Sequence, residues 1–442
     1  MRRVVILPVL LVAVVASGQW LEATIGMSGS PRALCYNPVE NKVYCACGGT
    51  DSVAVIDGVT NQVVATVAAR SNAWTLCCNP VDNKVYCANQ RGDNVTVIDG
   101  AADTVVATVG ASAHPMALCY NPLNNKIYCA GDLGDNVIVI DGAADTVVAS
   151  VHVGDRPIAL CYNPIDNKVY CANSYGYYVS VIDGATEEVI AAVPTGRLPS
   201  VFCYNPLDDR IYCANDASYT VTVIDGATNG VVATVGVGAD PRSLCYDPPG
   251  NKVYCANEGL DNVIVIDGAT NTVLAVVASG DGPCALCCDP QADRIFCANG
   301  GDSTVTVIDG ATDSVVAEVL VGAQPVDVTF NPLQNRVYVA NYAGSSVSVL
   351  RDPASGTEGT QKCRAREVRS ATVVRGRLCI PAAADGERFT SSALLDITGR
   401  KLMDLGPGED DVSRLAPGVY FLRCASVSPG GQPYTCRIVV TR

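Results

Sequence analysis

The chain has 442 residues, 40 of them Gly and 24 Pro; it is 49% apolar and 17% charged, which suits many short strands and tight turns rather than long helices. A formal net charge of −14 excludes a phosphate-tracking surface for nucleic acid and weighs against docking on an anionic membrane. With only two histidines, and no phosphate loop, haem-attachment motif or nucleophile elbow, most cofactor and nucleophile chemistries drop out as well.

Read from the N-terminus, Arg2 and Arg3 precede the apolar run "VVILPVLLVAVVA" and the small residues Ala16, Ser17 and Gly18. This predicts an export signal over residues 1–18 and Gln19 as the first mature residue; a retained N-terminal anchor is the alternative. No later segment is long enough to span a bilayer. Export would make 22 cysteines intelligible, because disulfides persist outside reducing compartments.

From there the chain is periodic. "VIDG" ends at Gly58, Gly100, Gly142, Gly184, Gly226, Gly268 and Gly310, a constant spacing of 42. Asn-Pro or Asp-Pro recurs on the same period from Asn37 to Asn331, giving eight copies. Each copy holds four strand-like runs, a to d; in the sixth they are "RSLCY", "KVYCA", "NVIVI" and "TVLAVV". Four strands per 42 residues predict a propeller blade, with a solenoid as runner-up. The last copy has a, b and c but no d, while "LEATIG" (Leu21–Gly26) aligns with the d runs of the other copies. The expectation is therefore an all-β, eight-bladed propeller over residues 19–350, closed by its N-terminal strand and without a free ring edge. The runs "NPVDNKVYCAN" and "VTVIDGAADTVVATV", with "YVAN" at Tyr338–Asn341, resemble the YVTN-type β-propeller repeat over about 330 residues. That resemblance implies extracellular or surface proteins and no common catalytic residues.

Within each copy the a–b and c–d turns are nearly constant, whereas the b–c loops ("NQRGDN", "NSYGYY", "NDASYT") and d–a loops ("GASAHP", "HVGDRP") differ every time. Repeated aspartates such as Asp57 read as turn residues rather than a metal ring. In an antiparallel blade the two variable loop sets share one face, the place for recognition on a rigid scaffold unless the loops have simply drifted. The residue opening strand a behind the d–a loop should approach the channel mouth: Arg32, Trp74, Met116, Ile158, Ser200, Arg242, Cys284 and Val326. Tyr175, Tyr177, Tyr178 and Tyr219 thicken one sector. Arg32, Trp74, Met116, Tyr177, Tyr178, Tyr219 and Arg242 are the ligand-binding candidates. Arg91-Gly92-Asp93 spells an integrin-binding tripeptide, but "LGDN" and "GLDN" stand at matching positions, which marks it as loop coincidence. His114 and His152 read as solvated loop histidines, and the carboxylates Asp93, Asp132, Asp135, Asp155, Glu258, Asp261 and Asp302 as unpartnered.

Seven copies carry a cysteine in strand a and another ten residues later in strand b: Cys35 and Cys45, Cys77 and Cys87, Cys119 and Cys129, Cys161 and Cys171, Cys203 and Cys213, Cys245 and Cys255, Cys287 and Cys297. The eighth loses both, leaving Thr329 and Val339, so the two side chains are expected to touch across the hairpin. They read either as seven intra-hairpin disulfides or as small buried thiols between blades; directly opposed strand residues sit wider apart than a disulfide prefers. Cys47, Cys78, Cys284 and Cys288 break the pattern.

Residues 351–366 are polar and irregular, as a linker should be. Residues 367–442 predict short strands, Gly-Pro turns and a hairpin from Val419 to Val440 that Cys424 and Cys436 could staple. Asp396, Gly399, Arg400, Gly408, Leu415, Pro417, Gly418 and Tyr420 resemble the C-terminal sorting domain of the type IX (Por) secretion system. The resemblance implies a small β-sandwich, a partnership with sorting machinery and an outer-surface address; an ordinary surface β domain is the alternative, and Cys363 and Cys379 are unusual for the resembled domain. The whole reads as a secreted or surface-attached, non-enzymatic propeller that binds a macromolecule or glycan through its variable face, with no cofactor, metal or integral membrane span. A hydrolase or lyase at the channel mouth, using Arg32, Arg242 and neighbouring carboxylates, is the alternative.

Overall fold

A computed structural model of the chain describes residues 20–351 in full and, beyond them, the backbone of seven strands between Thr372 and Val440. Residues 20–351 form eight four-stranded antiparallel sheets, each in the order a-b-c-d. In the first blade these are Pro31–Asn37, Lys42–Cys47, Ser52–Asp57 and Val63–Ala68. Strand a lines the channel and is half-buried, b and c are almost wholly buried, and d is outermost and mostly exposed. Burial on both faces explains why b and c read as near-continuous apolar runs rather than an alternation.

The core lies in the seams between blades. At the first seam Tyr44, Ala46, Val53, Val55 and Val67 of blade 1 pack on Leu76, Cys78, Val85, Cys87 and Ile98 of blade 2. The equivalent cluster recurs at the later seams. Each fully buried aliphatic side chain contributes about 1.5–3 kcal/mol, so a seam with several of them outweighs any single polar contact.

The constant turns are constant because they latch one blade to the next. The Tyr44 hydroxyl donates to Gly100 O at 3.2 Å and to Asp103 Oδ1 at 2.8 Å, in the c–d turn of blade 2. Lys42 Nζ reaches the same carbonyl at 2.9 Å. Nearer the axis, Asn37 caps its own turn, accepting from Val39 N at 2.9 Å, and donates across the seam to Asn83 Oδ1 at 2.9 Å. Asn79, Asn121, Asn163, Asn205 and Asn331 repeat that bridge around the ring. The repeated aspartates are turn residues as expected: Asp57 Oδ1 accepts from Thr60 N at 2.7 Å.

Closure is made by the N-terminal strand. Leu21–Gly26 pairs antiparallel with Ser346–Leu350, Leu21 opposite Leu350 and Gly26 opposite Ser346. The solenoid alternative is thereby set aside. Arg336 ties the joint together, binding Glu22 and the turn carbonyls of Gly58 and Val59 in blade 1. Blade 8 takes its d strand from the other end of the chain, so it has no c–d turn for blade 7 to latch. There the tyrosine of strand b is replaced by Phe296, which Trp20 meets edge-on at 6.3 Å, and Arg294 pairs within its own blade with Asp309. The expectation of a ring without free edges needs correction in one respect. The eight outer strands still present their outer edges, with exposed pairs such as Val105 and Val106.

The cysteine expectation is also corrected. In every hairpin the register sets Cys35 opposite Tyr44 and Cys45 opposite Leu34, or their equivalents, so the two cysteines of a copy stand on opposite faces of the sheet. They cannot touch, and the intra-hairpin disulfide is ruled out. All eighteen described cysteines are free thiols. The strand-a and strand-b cysteines of one blade pack into different seams: Cys129 lies where blade 2 meets blade 3, and Cys119 where blade 3 meets blade 4, beside Cys171 of the next blade.

Beyond residue 351, Lys401–Leu405, Phe389–Leu395, Gly418–Ser426 and Tyr434–Val440 form one sheet in that order. Thr372–Val374, Arg377–Cys379 and Glu409–Asp411 form a second. The register pairs Cys424 with Tyr434 and Cys436 with Leu422. Gly418 and Tyr420 of the sorting motif lie on the Gly418–Ser426 strand. The signal peptide, the linker after Arg351, motif residues Asp396, Gly399, Arg400 and Pro417, and the packing of the two sheets as a sandwich lie outside the described residues. Among the described residues no helix is long and apolar enough to cross a membrane.

Excision of residues 20–26 is expected to leave strand c of blade 8 as an open edge, giving lower unfolding cooperativity and concentration-dependent oligomers by light scattering. A second outcome concerns the blade 6–7 seam, where the asparagine bridge is replaced by two carboxylates. Burial and the facing Asp293 push Asp247 up to about 6, and Asp293 is raised too, first by burial. Raised carboxylates bind a proton on folding, so their contribution is present in acid and is lost as pH rises through about 6. Asp293→Asn should stabilise the ring at pH 8 by about 1–2 kcal/mol and by much less in mild acid, measured by denaturant unfolding.

Candidate functional site

The variable loops do share one face. Gln90 N, in a b–c loop, donates to Asn72 O in the adjoining d–a loop at 3.0 Å, and Ser174 N to Arg156 O at 2.9 Å two blades on. Each b–c loop turns through a left-handed residue, Asp93 and Asp135 in blades 2 and 3, but Tyr177 and Tyr219 in blades 4 and 5, both at φ 58°. An aromatic residue in that conformation costs strain that the loop must offset, and it sets Tyr177 and Tyr219 out at 41% and 51% exposure.

At the channel mouth on this face lies a cleft of about 560 Å³ lined by Arg32, Ala33, Trp74, Thr75, Met116, Gln324, Val326, Asp327 and Tyr342. It spans blades 8, 1, 2 and 3 only. Four of the eight residues expected at the mouth line it: Arg32, Trp74, Met116 and Val326. The Arg32 guanidinium lies over the Trp74 ring at 3.3 Å from its centroid and 6.0 Å from that of Tyr342. Partial desolvation lowers its pKa, and among the described residues no carboxylate lies within ion-pair distance of it. A cation held between aromatic faces without an acid partner keeps its outer N–H groups for a ligand.

Asp327 is the one carboxylate of the cleft. Its equivalents are Ala33, Thr75, Ala117, Ala159, Val201, Ser243 and Ala285. It bridges the last seam, accepting from Leu34 N of blade 1 at 2.7 Å and from Val328 N at 2.9 Å. Burial against the channel wall pushes its carboxyl up to about 7 despite those two donors.

The other candidates lie elsewhere on the face. Tyr177 sits 5.9 Å from Arg197, and Tyr175 4.8 Å from Arg156, in a separate tyrosine–arginine sector. Tyr178 is half-buried at the start of strand c in blade 4. Tyr219 belongs to blade 5. Arg242 is taken up by Glu258, with Asp216 at 3.8 Å. Two expectations are corrected here. His114 is not merely solvated: its Nδ1 lies 2.6 Å from Asp132 Oδ1. Asp132 is not unpartnered, since it also accepts from Arg156 Nη2 at 2.9 Å; Glu258 is likewise paired, and Asp93, Asp135, Asp261 and Asp302 each accept from a backbone N–H of a d–a loop. Among the described residues no group of three or more His, Cys, Asp or Glu is placed to hold a metal ion.

Sequence reasoning missed Gln324, Asp327 and Tyr342. Asp327 carried a signal, as a lone carboxylate at a position otherwise small or apolar. Tyr342 did not, because it stands in one of eight dissimilar b–c loops, and only the folded structure shows that loop reaching Arg32 at the mouth.

Residues 160–362 match the family model described as YNCE-like beta-propeller. No curated protein matches the chain. Among solved structures, hydrazine synthase of Kuenenia stuttgartiensis aligns at 22% identity and TM-score 0.53, over 62% of this chain and 94% of that one. Dihydro-heme d1 dehydrogenase NirN, in complex with DHE, aligns at 14% identity and TM-score 0.61, over 75% and 78%. Sqt1 of Saccharomyces cerevisiae aligns at 12% identity and TM-score 0.67, over 75% and 98%. At these identities the likeness is one of fold.

Asp327→Asn should flatten the dependence of stability on pH. The raised carboxyl binds a proton on folding, so its contribution is present in acid and lost as pH rises through about 7. The asparagine variant is expected to lose a decline of up to roughly 4 kcal/mol between pH 4 and 8, measured by urea unfolding across that range.

Proposed function

We propose that the chain is an exported, surface-attached binding protein without catalytic activity, which recognises a macromolecule or glycan through its variable face. The observation that carries this reading is the channel-mouth cleft, where Arg32 stacks on Trp74 without an acid partner among the described residues. A concave, asymmetric site with aromatic faces and a few polar groups is the usual form of a recognition pocket on a rigid scaffold. The tyrosine–arginine sector at Tyr175, Tyr177, Arg156 and Arg197 extends the contact surface for a ligand larger than the cleft. Export rests on the Arg2-Arg3 apolar segment, and surface attachment on the resemblance of residues 367–442 to a type IX sorting domain. The alternative, a hydrolase or lyase at the mouth, would need acid and base groups converging there. Arg242 is engaged by Glu258 away from the cleft, and Asp327 is held by two backbone donors, which favours binding.

The test is a screen of the full chain against a glycan array and cell-surface extracts, followed by titration of the strongest hit. Arg32→Ala and Trp74→Ala are expected to weaken binding tenfold or more each, by about 1.4 kcal/mol or above. Tyr177→Ala should act more weakly. Leu207→Ser, on the opposite face, should leave affinity unchanged. Equal affinity in all four variants would place the ligand elsewhere.

A further inference from the structure

Two of the cysteines outside the regular pattern share one position. The sixth residue of strand a is Tyr36, Tyr120, Tyr162, Tyr204 or Tyr246 in five blades and Phe330 in blade 8, but Cys78 in blade 2 and Cys288 in blade 7. Where it is tyrosine, its hydroxyl bonds the turn of its own blade, as Tyr162 does to Asn167 Oδ1 at 3.3 Å. Its ring packs across the seam beside the strand-a cysteine of the preceding blade: Tyr162 with Cys119, Tyr204 with Cys161, Tyr246 with Cys203. Replacing that tyrosine with cysteine therefore sets two thiols face to face. Cys78 packs against blade 1 in the blade 1–2 seam, within interaction reach of the Cys35 thiol. Cys288 Sγ crosses the blade 6–7 seam to Asp247 Oδ1 at 3.7 Å, on the strand and face that carry Cys245, and the Cys245 thiol meets the backbone of Cys288. The substitution has a cost at the second seam, where Asp293 Oδ1 is left buried without the hydroxyl that Tyr204 gives Asp209.

We propose that Cys35 with Cys78, and Cys245 with Cys288, are two inter-blade disulfide sites that staple blade 1 to blade 2 and blade 6 to blade 7. Each pair is forty-three residues apart, so each bond would close a loop of one full repeat. All four residues keep partial exposure. The oxidant is a small disulfide such as oxidised glutathione. One cysteine thiolate attacks it, expelling one glutathione thiolate and leaving a mixed disulfide; the partner cysteine then displaces the second glutathione. The protein loses two electrons and two protons, and the small disulfide becomes two thiols. Neighbouring Cys77 and Cys287 face the next seam, beside Tyr120 and Phe330; the Cys119 thiol acts on Cys77 there only through its charge, with no hydrogen bond between them. Burial pushes the Cys245 thiol up to about 12, so reaction in the folded ring is slow at neutral pH and faster in alkali. The inference rests on seam geometry and not on export; a reducing compartment would keep the pairs as thiols.

The test incubates the full chain with oxidised glutathione at pH 9, blocks remaining thiols by alkylation, and maps cross-linked peptides without reduction. In parallel, dibromobimane, which bridges neighbouring thiols without an oxidant, reads the same proximity in the native protein. Both reagents are expected to join Cys35 to Cys78 and Cys245 to Cys288. Cys78→Tyr and Cys288→Tyr, which restore the residue found in the other blades, should each abolish one link and remove the rise in unfolding temperature that oxidation brings. Free thiols at these four positions after both treatments, or links to other cysteines in their place, would overturn the proposal.

Discussion

Everything in this ring depends on the seam between consecutive blades. A single four-stranded sheet of this size buries too little to be stable alone, and its b and c strands are apolar on both faces. Apposing neighbours removes both faces from water. The Tyr44-type hydroxyl and the Lys42-type amine then fix the angle of apposition by gripping one carbonyl of the next turn. Since six of the eight blades make this hydroxyl grip, Tyr128 and Phe296 being the departures, the a–b and c–d turns are held nearly constant, and variation is confined to the other face.

The exceptions to the repeat follow from the same constraint. Blade 7 has no turn to grip, because blade 8 receives its outer strand from the N-terminus, and it carries Phe296 against Trp20 in place of the hydroxyl. Asp247 and Asp293 interrupt the asparagine bridge in the same seam that holds Cys288. Asp327 takes up a backbone donor of blade 1 at the seam where the two chain ends are joined. The joint and its neighbourhood are thus the least regular part of the ring, and the channel-mouth cleft opens beside them.

Much of this was legible in the residues. The period of 42, the four strands per copy and the strand missing at one end and spare at the other give blade number and closure without coordinates. The cysteines show where such reading went astray. Joint presence and joint loss suggested contact, but parity forbids it: a four-residue turn pairs residues nine apart around the strand cysteines, as Cys35 with Tyr44, so partners ten apart alternate faces. Covariation by copy reflected a shared repeat unit instead. Likewise His114 and Asp132 were read apart because they lie in different loops, and only loop packing brings them to 2.6 Å.

By itself the sequence determined the ring: strand pattern, repeat length and turn chemistry are local properties that each copy specifies alike. The tertiary structure alone decided which face of each sheet a side chain occupies relative to its neighbour, and which side chains of adjoining blades meet across a seam. Those relations set Tyr342 beside Arg32, Cys78 against Cys35 and Phe296 against Trp20, since they join residues from separate copies whose meeting no local pattern encodes.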